Sequence, residues 1–347
     1  MLNNVDGGGI TFSEVVEYLN NGDTSCIESK CINNNIYSEL KKIAVHNKID
    51  YEYNNNDDLV TKLANKYDCT NQTLMCVLHK IQNNFSKFKD CEINESIINI
   101  AINKGKQPGP FDTNQWFSND NIDNVIKKFE NMFADKCFFH IPFHMRDFKT
   151  NPMNNDAEKN LNNISFVEKY ESGYKCFGVV FNTDSSKGSG EHWFCLFINF
   201  HETPYTIEYF NSSGDSPLDE IVELMCEIKH TMLKYFKEKK MNNDGDNDGD
   251  NDGDNDGDND GDNDVDDTKK IDLIEIDCSK DSNKTESIRC VQSTRLKNQK
   301  DNHSCGSYSI FYILARLLGV PVEKFKNDTI GDILMHTFRK NLFAHNY

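Results

Sequence analysis

The sequence predicts an α+β protein with a mixed central sheet flanked by helices and a small helical segment ahead of it. Two observations carry that expectation. Aromatic and β-branched runs bounded by Gly, Ser, Asn and Asp recur at 138–143, 174–181, 192–200, 205–210, 271–276 and 288–293, the pattern of buried strands. Helical periodicity alternates with these strands in the second two-thirds of the chain, but stands alone in the first 105 residues.

In chain order, amphipathic spacing predicts helices over 12–19, 59–67, 73–88 and 93–102, separated by Asn/Asp-rich turns. None of them carries a recognisable chemical motif, so residues 1–105 read as a helical arm domain. Lys104-Gly-Lys-Gln-Pro-Gly-Pro110 then breaks any helix, which sets a domain boundary and starts the core at 108, running to 347. Ser118 or Asn119 can cap a helix reaching about Met132. The runs at 192–200 and 205–210 flank a short turn containing Pro204 and predict an antiparallel hairpin. Ser216-Pro217 opens a helix to about Lys240, with proline at the first helical position, acids early and lysines late.

Residues 242–267 repeat Asp-Gly-Asp-Asn and carry thirteen Asp with no basic residue. Half of a calcium loop occurs there (Asp244, Asp246, Asp248, Gly249), but no glutamate follows at the twelfth position. The tract reads as a solvated, disordered insert looping out of the core. Without it the net charge of −18 becomes −18 + 13 = −5, so charge does not support nucleic-acid binding. No run approaches the length of a membrane span, and the first residues lack the pattern of a signal peptide. The twelve cysteines show no CxxC pair and no finger-like spacing, so neither a metal nor a cofactor is expected. Most of them read as buried thiols in a reducing, cytosol-facing protein.

The sharpest chemical signal is Gln299-Lys-Asp-Asn-His-Ser-Cys305-Gly306, followed by an apolar helix ending at Gly319. Cys305 sits at the helix start, where free N–H groups and the dipole favour a thiolate. Gly306 lets a substrate backbone approach closely. The Cys305 N–H and the Gln299 amide can both donate to a tetrahedral oxyanion. Taken alone, Cys305 is more simply a core cysteine. His192 changes that, because it stands at the mouth of a strand, directly before Trp193. Asn211, nineteen residues later, ends the second strand of the hairpin and can orient the imidazole, which completes nucleophile, base and orienter. Asn211-Ser-Ser-Gly214 is also a good turn, and His303, two residues before Cys305, is the competing base.

His192-Trp193, Asn211 near a Ser-Gly turn, and Gln299-x5-Cys305-Gly306 opening an apolar helix together resemble the ubiquitin-like-protein (SUMO) protease and adenovirus endopeptidase superfamily. Trp116-Phe-Ser-Asn-Asp-Asn-Ile-Asp123 is similar to the opening of that domain. Within the superfamily the pattern is most similar to the African swine fever virus-type polyprotein-processing proteases of large DNA viruses, which also carry a helical arm. The resemblance covers residues 108–347. It implies a papain-like, adenovirus-protease-like core with Cys305 as nucleophile, His192 as base and later acid, Asn211 as orienter and Gln299 as oxyanion donor. It also implies cleavage after Gly-Gly in a narrow tunnel, with Trp193 as candidate roof and Gly306 at the substrate backbone.

The implied substrate is a viral structural polyprotein, processed in the virus factory of the host cytoplasm and in the virion. The alternatives are an isopeptidase removing ubiquitin or a ubiquitin-like modifier, and an inactive binding protein on the same fold. Loss of Cys, His or Gln would mark the latter, and none is lost here. SUMO proteases usually have Asp at the third position, so Asn211 leans to the viral branch. Many members have Asp directly before the Cys, where this chain has Ser304. The chain itself contains Gly7-Gly8-Gly9-Ile10. If that site is used in self-cleavage, incubated active protein loses its first residues; an unchanged intact mass removes the idea.

Overall fold

The computed structural model describes residues 10–21, 34–49, 55–69, 74–91, 93–95, 97–98, 106–133, 137–152, 160–201, 203–244, 273–278 and 287–344. The Gly7–Gly9 site and the acidic repeat from 245 onward lie outside the described residues. The chain divides into two compact units: residues 1–121, 301–307 and 330–347 form one, and residues 122–300 and 308–329 the other.

The second unit is built on a six-stranded mixed sheet in the order β2-β3-β4-β5-β7-β6. Its strands are β2 (Phe138–Met145), β3 (Cys176–Asn182), β4 (Trp193–Asn199), β5 (Tyr205–Phe210), β6 (Ile274–Glu275) and β7 (Ile288–Gln292). The pairs β2–β3 and β5–β7 are parallel, and β3–β4, β4–β5 and β6–β7 are antiparallel. Each strand coincides with an aromatic or β-branched run in the sequence. The run at 271–276 yields only the two-residue β6, with 271–272 outside the described residues.

Side chains alternate across a strand, so each face of the sheet takes its own partner. Phe194, Leu196 and Ile198 of β4 and Ile207 and Tyr209 of β5 share one core with Ile221, Met225, Ile228 and Met232 of a long helix, α7 (Asp219–Asp244). The opposite residues of β5 face α8 (Cys305–Leu317): Phe210 stacks on Tyr312 at 4.5 Å between ring centres. Glu208, fully buried, accepts from Arg316 through Nε (2.7 Å) and Nη2 (2.8 Å), from the Tyr312 hydroxyl (2.7 Å) and from Thr206 Oγ1 (2.5 Å). Burial by itself pulls the Arg316 guanidinium down, but the Glu208 charge outweighs it and holds the group above its ordinary value.

Helix α5 (Asn119–Met132) is started by Ser118, whose hydroxyl accepts from the Asn121 N–H while Asn121 Oδ1 accepts from the Ser118 N–H. Its acids close the outer edge of the sheet: Glu130 accepts from the His140 N–H (2.7 Å) and Asp123 from the Phe143 N–H (2.8 Å). A short helix, α6 (Phe166–Glu171), is capped by Ser165. Helix α7 departs from the sequence expectation at both ends. It begins at Asp219, not at Pro217, because the Leu218 carbonyl takes the first helical bonds. The buried Gln292 amide donates to the Gly214 and Asp215 carbonyls just ahead of the helix. At the far end it runs to Asp244, into the first residues of the acidic tract. Helix α9 (Val322–Asn327) adds Phe325 against Tyr312.

The first unit contains α1 (Phe12–Asn21), α2 (Asn34–His46), α3 (Asn56–Lys66) and α4 (Leu74–Gln82), followed by a 3-10 turn Phe85–Cys91. Leu40, Ile43, Leu59, Leu63, Val77 and Ile81, at helical spacing, form its core. The expected helix over 73–88 therefore ends early, and most of the one expected over 93–102 lies outside the described residues. This unit also holds α10 (Asp332–Leu342) and a small parallel pairing of β1 (Gln107–Pro108) with β8 (Phe343–Ala344). Asn341 Nδ2 bonds the Val16 carbonyl of α1.

Cys176, Cys195, Cys290 and Cys305 are buried thiols, as expected. Cys69–Cys76 and Cys226–Cys278 are disulfides, which no spacing rule had marked. They form because folding brings their Cα atoms to 6.0 and 5.4 Å. No described helix is long and apolar enough to cross a membrane.

Removing the Glu208 carboxylate strands the Arg316 charge beneath the sheet. Glu208→Ala is expected to lower stability by about 3–5 kcal/mol, read from urea unfolding; a loss below about 1 kcal/mol would contradict the buried pair.

Candidate active site

The pairing of β4 with β5 sets Cys195 against Phe210, so Phe194 comes opposite Asn211 one step further on. His192 shares the parity of Phe194 and lies just beyond the strand, on the same face as Asn211. The two side chains meet: His192 Nε2 and Asn211 Oδ1 are 2.7 Å apart. Asn211 is buried and its orientation is over-determined. Its Oδ1 also accepts from the Ser213 N–H (3.0 Å) and hydroxyl (2.8 Å), and its Nδ2 donates to the Tyr209 hydroxyl (3.0 Å). An amide oxygen can only accept, so the ring must donate to it: His192 carries its proton on Nε2 and keeps the Nδ1 lone pair. The turn after β5 closes through the Gly214 N–H to the Asn211 carbonyl. Gly214 has φ +81° and lies against the Arg295 carbonyl, where a Cβ would stand 2.6 Å from that oxygen.

The same turn holds Gln299. Its backbone N–H and that of Asn298 donate to the Ser212 carbonyl, and its Oε1 accepts from the Ser212 hydroxyl (2.8 Å). That bond fixes which end of the carboxamide accepts and which donates. The buried Tyr308 of α8 donates to the Asn298 carbonyl (3.2 Å). The turn after β5, the 298–299 loop and the second turn of α8 are thus tied together inside one unit.

Cys305 is the first residue of α8 and is buried. The helix starts in the first unit and continues from Tyr308 in the second. Asp301 organises the entry. It accepts from the His303 and Ser304 N–H groups, from the Ser304 hydroxyl (2.6 Å) and from His336 Nε2 (3.0 Å). Burial alone pushes this carboxyl up, but the bonds from Ser304, His303 and His336 outweigh it and hold it at about 2. The cap chemistry left open by Ser304 is therefore an Asp301–Ser304 pair. Gly306 is approached by the Phe117 ring, which a Cβ would meet at 2.9 Å. The His303 ring packs edge-on against Trp116 at 6.1 Å.

The structure brings together His192, Asn211 and Gln299 in the sheet unit, and places Cys305 and Gly306 in the other. Trp193 is buried, edge-on to Phe143. His144 is engaged by the Pro142 carbonyl and the Leu161 N–H, and His140 lies 3.3 Å from Asp123.

No protein-family model matches the chain. A SUMO-1 cysteine protease of African swine fever virus, from a Kenyan pig isolate, is 27% identical over 245 residues, covering 69% of this chain and 71% of its own. The cysteine protease of the Vero-adapted Badajoz strain matches at the same identity and coverage. This chain is a homologue of these viral cysteine proteases. A crystal structure of the selenomethionine form of the African swine fever virus pS273R protease superposes with a TM-score of 0.50 at 21% identity, covering 92% of this chain and 93% of the other, which shows a shared fold.

Tyr209, Ser212, Ser213 and Asp301 escaped the sequence reading. Parity along β5 marks Tyr209 as a neighbour of Asn211, and an Asp at 301 in an Asp-Asn-His-Ser run is an Asx-turn signal. Nothing local pairs Ser212 with Gln299, 87 residues away.

The Asp301 carboxyl lies below its ordinary value of 3.8, so its stabilisation is complete above about pH 4 and is lost as pH falls toward 2. Asp301→Asn is expected to remove on the order of 2 kcal/mol at pH 7 and to flatten the loss of stability between pH 4 and 2, both read from thermal melts. Parallel wild-type and variant curves across that range would contradict the assignment.

Proposed function

We propose that this cysteine protease cleaves viral structural polyprotein precursors after Gly-Gly during virion maturation, with Cys305 as nucleophile. The observation that carries the reading is the His192–Asn211 bond of 2.7 Å, with Asn211 held by Tyr209 and Ser213. An imidazole with a defined Nδ1 lone pair is what a thiol nucleophile needs as its base. The Cys305 thiolate, favoured at the start of α8, attacks the carbonyl after the second glycine. The Cys305 N–H and the Gln299 amide receive the oxyanion. His192 returns its proton to the leaving amine, and a thioester forms. Water activated by His192 then hydrolyses it and regenerates the thiol. Trp193 and Gly306 line the substrate path in this reading, residues 1–105 form an arm ahead of the core, and the reaction takes place in the cytoplasmic virus factory and the virion.

The SUMO-1 designation of the relatives favours a second reading, removal of a ubiquitin-like modifier by the same residues. Gly-Gly-X peptides set against fluorogenic SUMO and ubiquitin C-terminal substrates separate the two. Preference for the peptides supports polyprotein processing, and preference for the folded modifiers transfers the protein to the second reading.

Cys305→Ala is expected to abolish cleavage and labelling by a thiol-reactive peptide probe while leaving the circular dichroism spectrum intact. His192→Ala is expected to lower kcat/KM by about 10³-fold or more. Asn211→Ala, which only loosens the ring, is expected to cost roughly tenfold to a hundredfold. Retained cleavage by Cys305→Ala would end the assignment.

A further inference from the structure

Helix α10 carries a cation that the proposed mechanism does not use. Arg339 is 0% exposed. Its Nη1 donates to the Asp112 (2.5 Å) and Gln115 (2.6 Å) carbonyls, and its Nη2 to the His303 carbonyl (2.7 Å). Its Nε is buried with no hydrogen-bond partner, and the guanidinium lies 4.8 Å from the centre of the Phe117 ring, which also abuts Gly306. All its acceptors are neutral main-chain oxygens, whereas a buried guanidinium normally meets a carboxylate fork.

The negative groups near enough to act on it through space are Asp301, Cys305 and Asp112. The Asp112 side chain is exposed and screened by solvent. Asp301 is committed to Ser304, His303 and His336, and Asp332 accepts from the Asp301 N–H. His303 turns its ring to Trp116. Asp301 keeps its charge and acts most strongly on the guanidinium, and the Cys305 sulfur, two residues beyond the His303 carbonyl that Arg339 holds, adds to it when ionised.

We infer that Arg339 is a positioning residue for the nucleophile: it fixes the His303 carbonyl two residues before Cys305, and its charge favours the Cys305 thiolate. The inference rests on Cys305 being the nucleophile of the proposed function. Burial pulls the guanidinium down, and Asp301, Cys305 and Asp112 push it back. By linkage, a thiolate that favours the cation is favoured by it equally.

The test is the pH dependence of Cys305 alkylation by iodoacetamide in the full chain, mapped by mass spectrometry, for wild type, Arg339→Met and Arg339→Lys. Arg339→Met is expected to raise the midpoint by about one pH unit or more, while Arg339→Lys, which keeps the charge, restores it to near the wild-type value. A folded Arg339→Met protein with an unchanged midpoint overturns the inference, as does an Arg339→Lys shift equal to that of Arg339→Met. If Arg339→Met does not fold, His192→Ala decides. With Arg339 present its midpoint is expected to stay below the ordinary thiol value of about 8.5, and a midpoint at that value overturns the inference. Alkylation of wild type at another cysteine instead refutes Cys305 as nucleophile, whereas Cys305 labelling that ignores Arg339 refutes this inference alone.

Discussion

The buried Glu208–Arg316 pair is the constraint on which the sheet unit depends. Strand β5 carries Thr206, Glu208 and Phe210 on the face toward α8, and Ile207 and Tyr209 on the face toward α7. A charge pair on the first face admits one register of α8, because a slip of a single residue would leave Glu208 without its guanidinium at a cost of several kcal/mol. The alternate parity then delivers Tyr209 and Asn211 to the opposite face, where the amide meets the His192 ring. Helix register and imidazole orientation are thus two consequences of one strand's pleat.

Polar groups around the site follow one pattern: each side chain proposed for catalysis is fixed by neighbours outside that set. Asn211 is fixed by Tyr209 and Ser213, Gln299 by Ser212, and the approach to Cys305 by Asp301, Ser304 and Arg339. Most of these partners are buried, and a buried polar group without its partner is expensive, so the arrangement resists loosening. The Ser-Ser dipeptide of the turn after β5 divides the work, with Ser212 reaching Gln299 and Ser213 reaching Asn211. A segment that satisfies every requirement of an ordinary turn is therefore also the hub of the site.

Cys305 was one of twelve cysteines in the sequence, and its position before an apolar helix made it distinctive. The chain order His192, Asn211, Gln299, Cys305 was legible because His192, Asn211 and Cys305 each adjoin or open an element whose periodicity is strong, and Gln299 stands six residues before Cys305. The homology to African swine fever virus cysteine proteases names the same class of chemistry. Arg339 was not legible, because an arginine in the last turn of an amphipathic helix reads as a solvated charge complementing the dipole. Only the packing of Phe117 over it reveals that it is enclosed.

Although it left α2, α6, α9, α10, β1 and β8 unmarked, the sequence by itself determined the six strands of the central sheet, the starts of α1, α4, α5 and α8, the α+β class and the four residues proposed for catalysis. Each of these rests on local periodicity or on side-chain chemistry that needs no distant partner. Tertiary structure alone decided the strand order, the buried Glu208–Arg316 pair, the Ser212–Gln299 bond and the two disulfides. It also began α7 at Asp219, where the Leu218 carbonyl takes the first helical bonds, and carried it on to Asp244. The Glu208–Arg316 pair alone joins residues 108 positions apart. The energies of these features come from burial and from exclusion of water, which no short window of sequence contains.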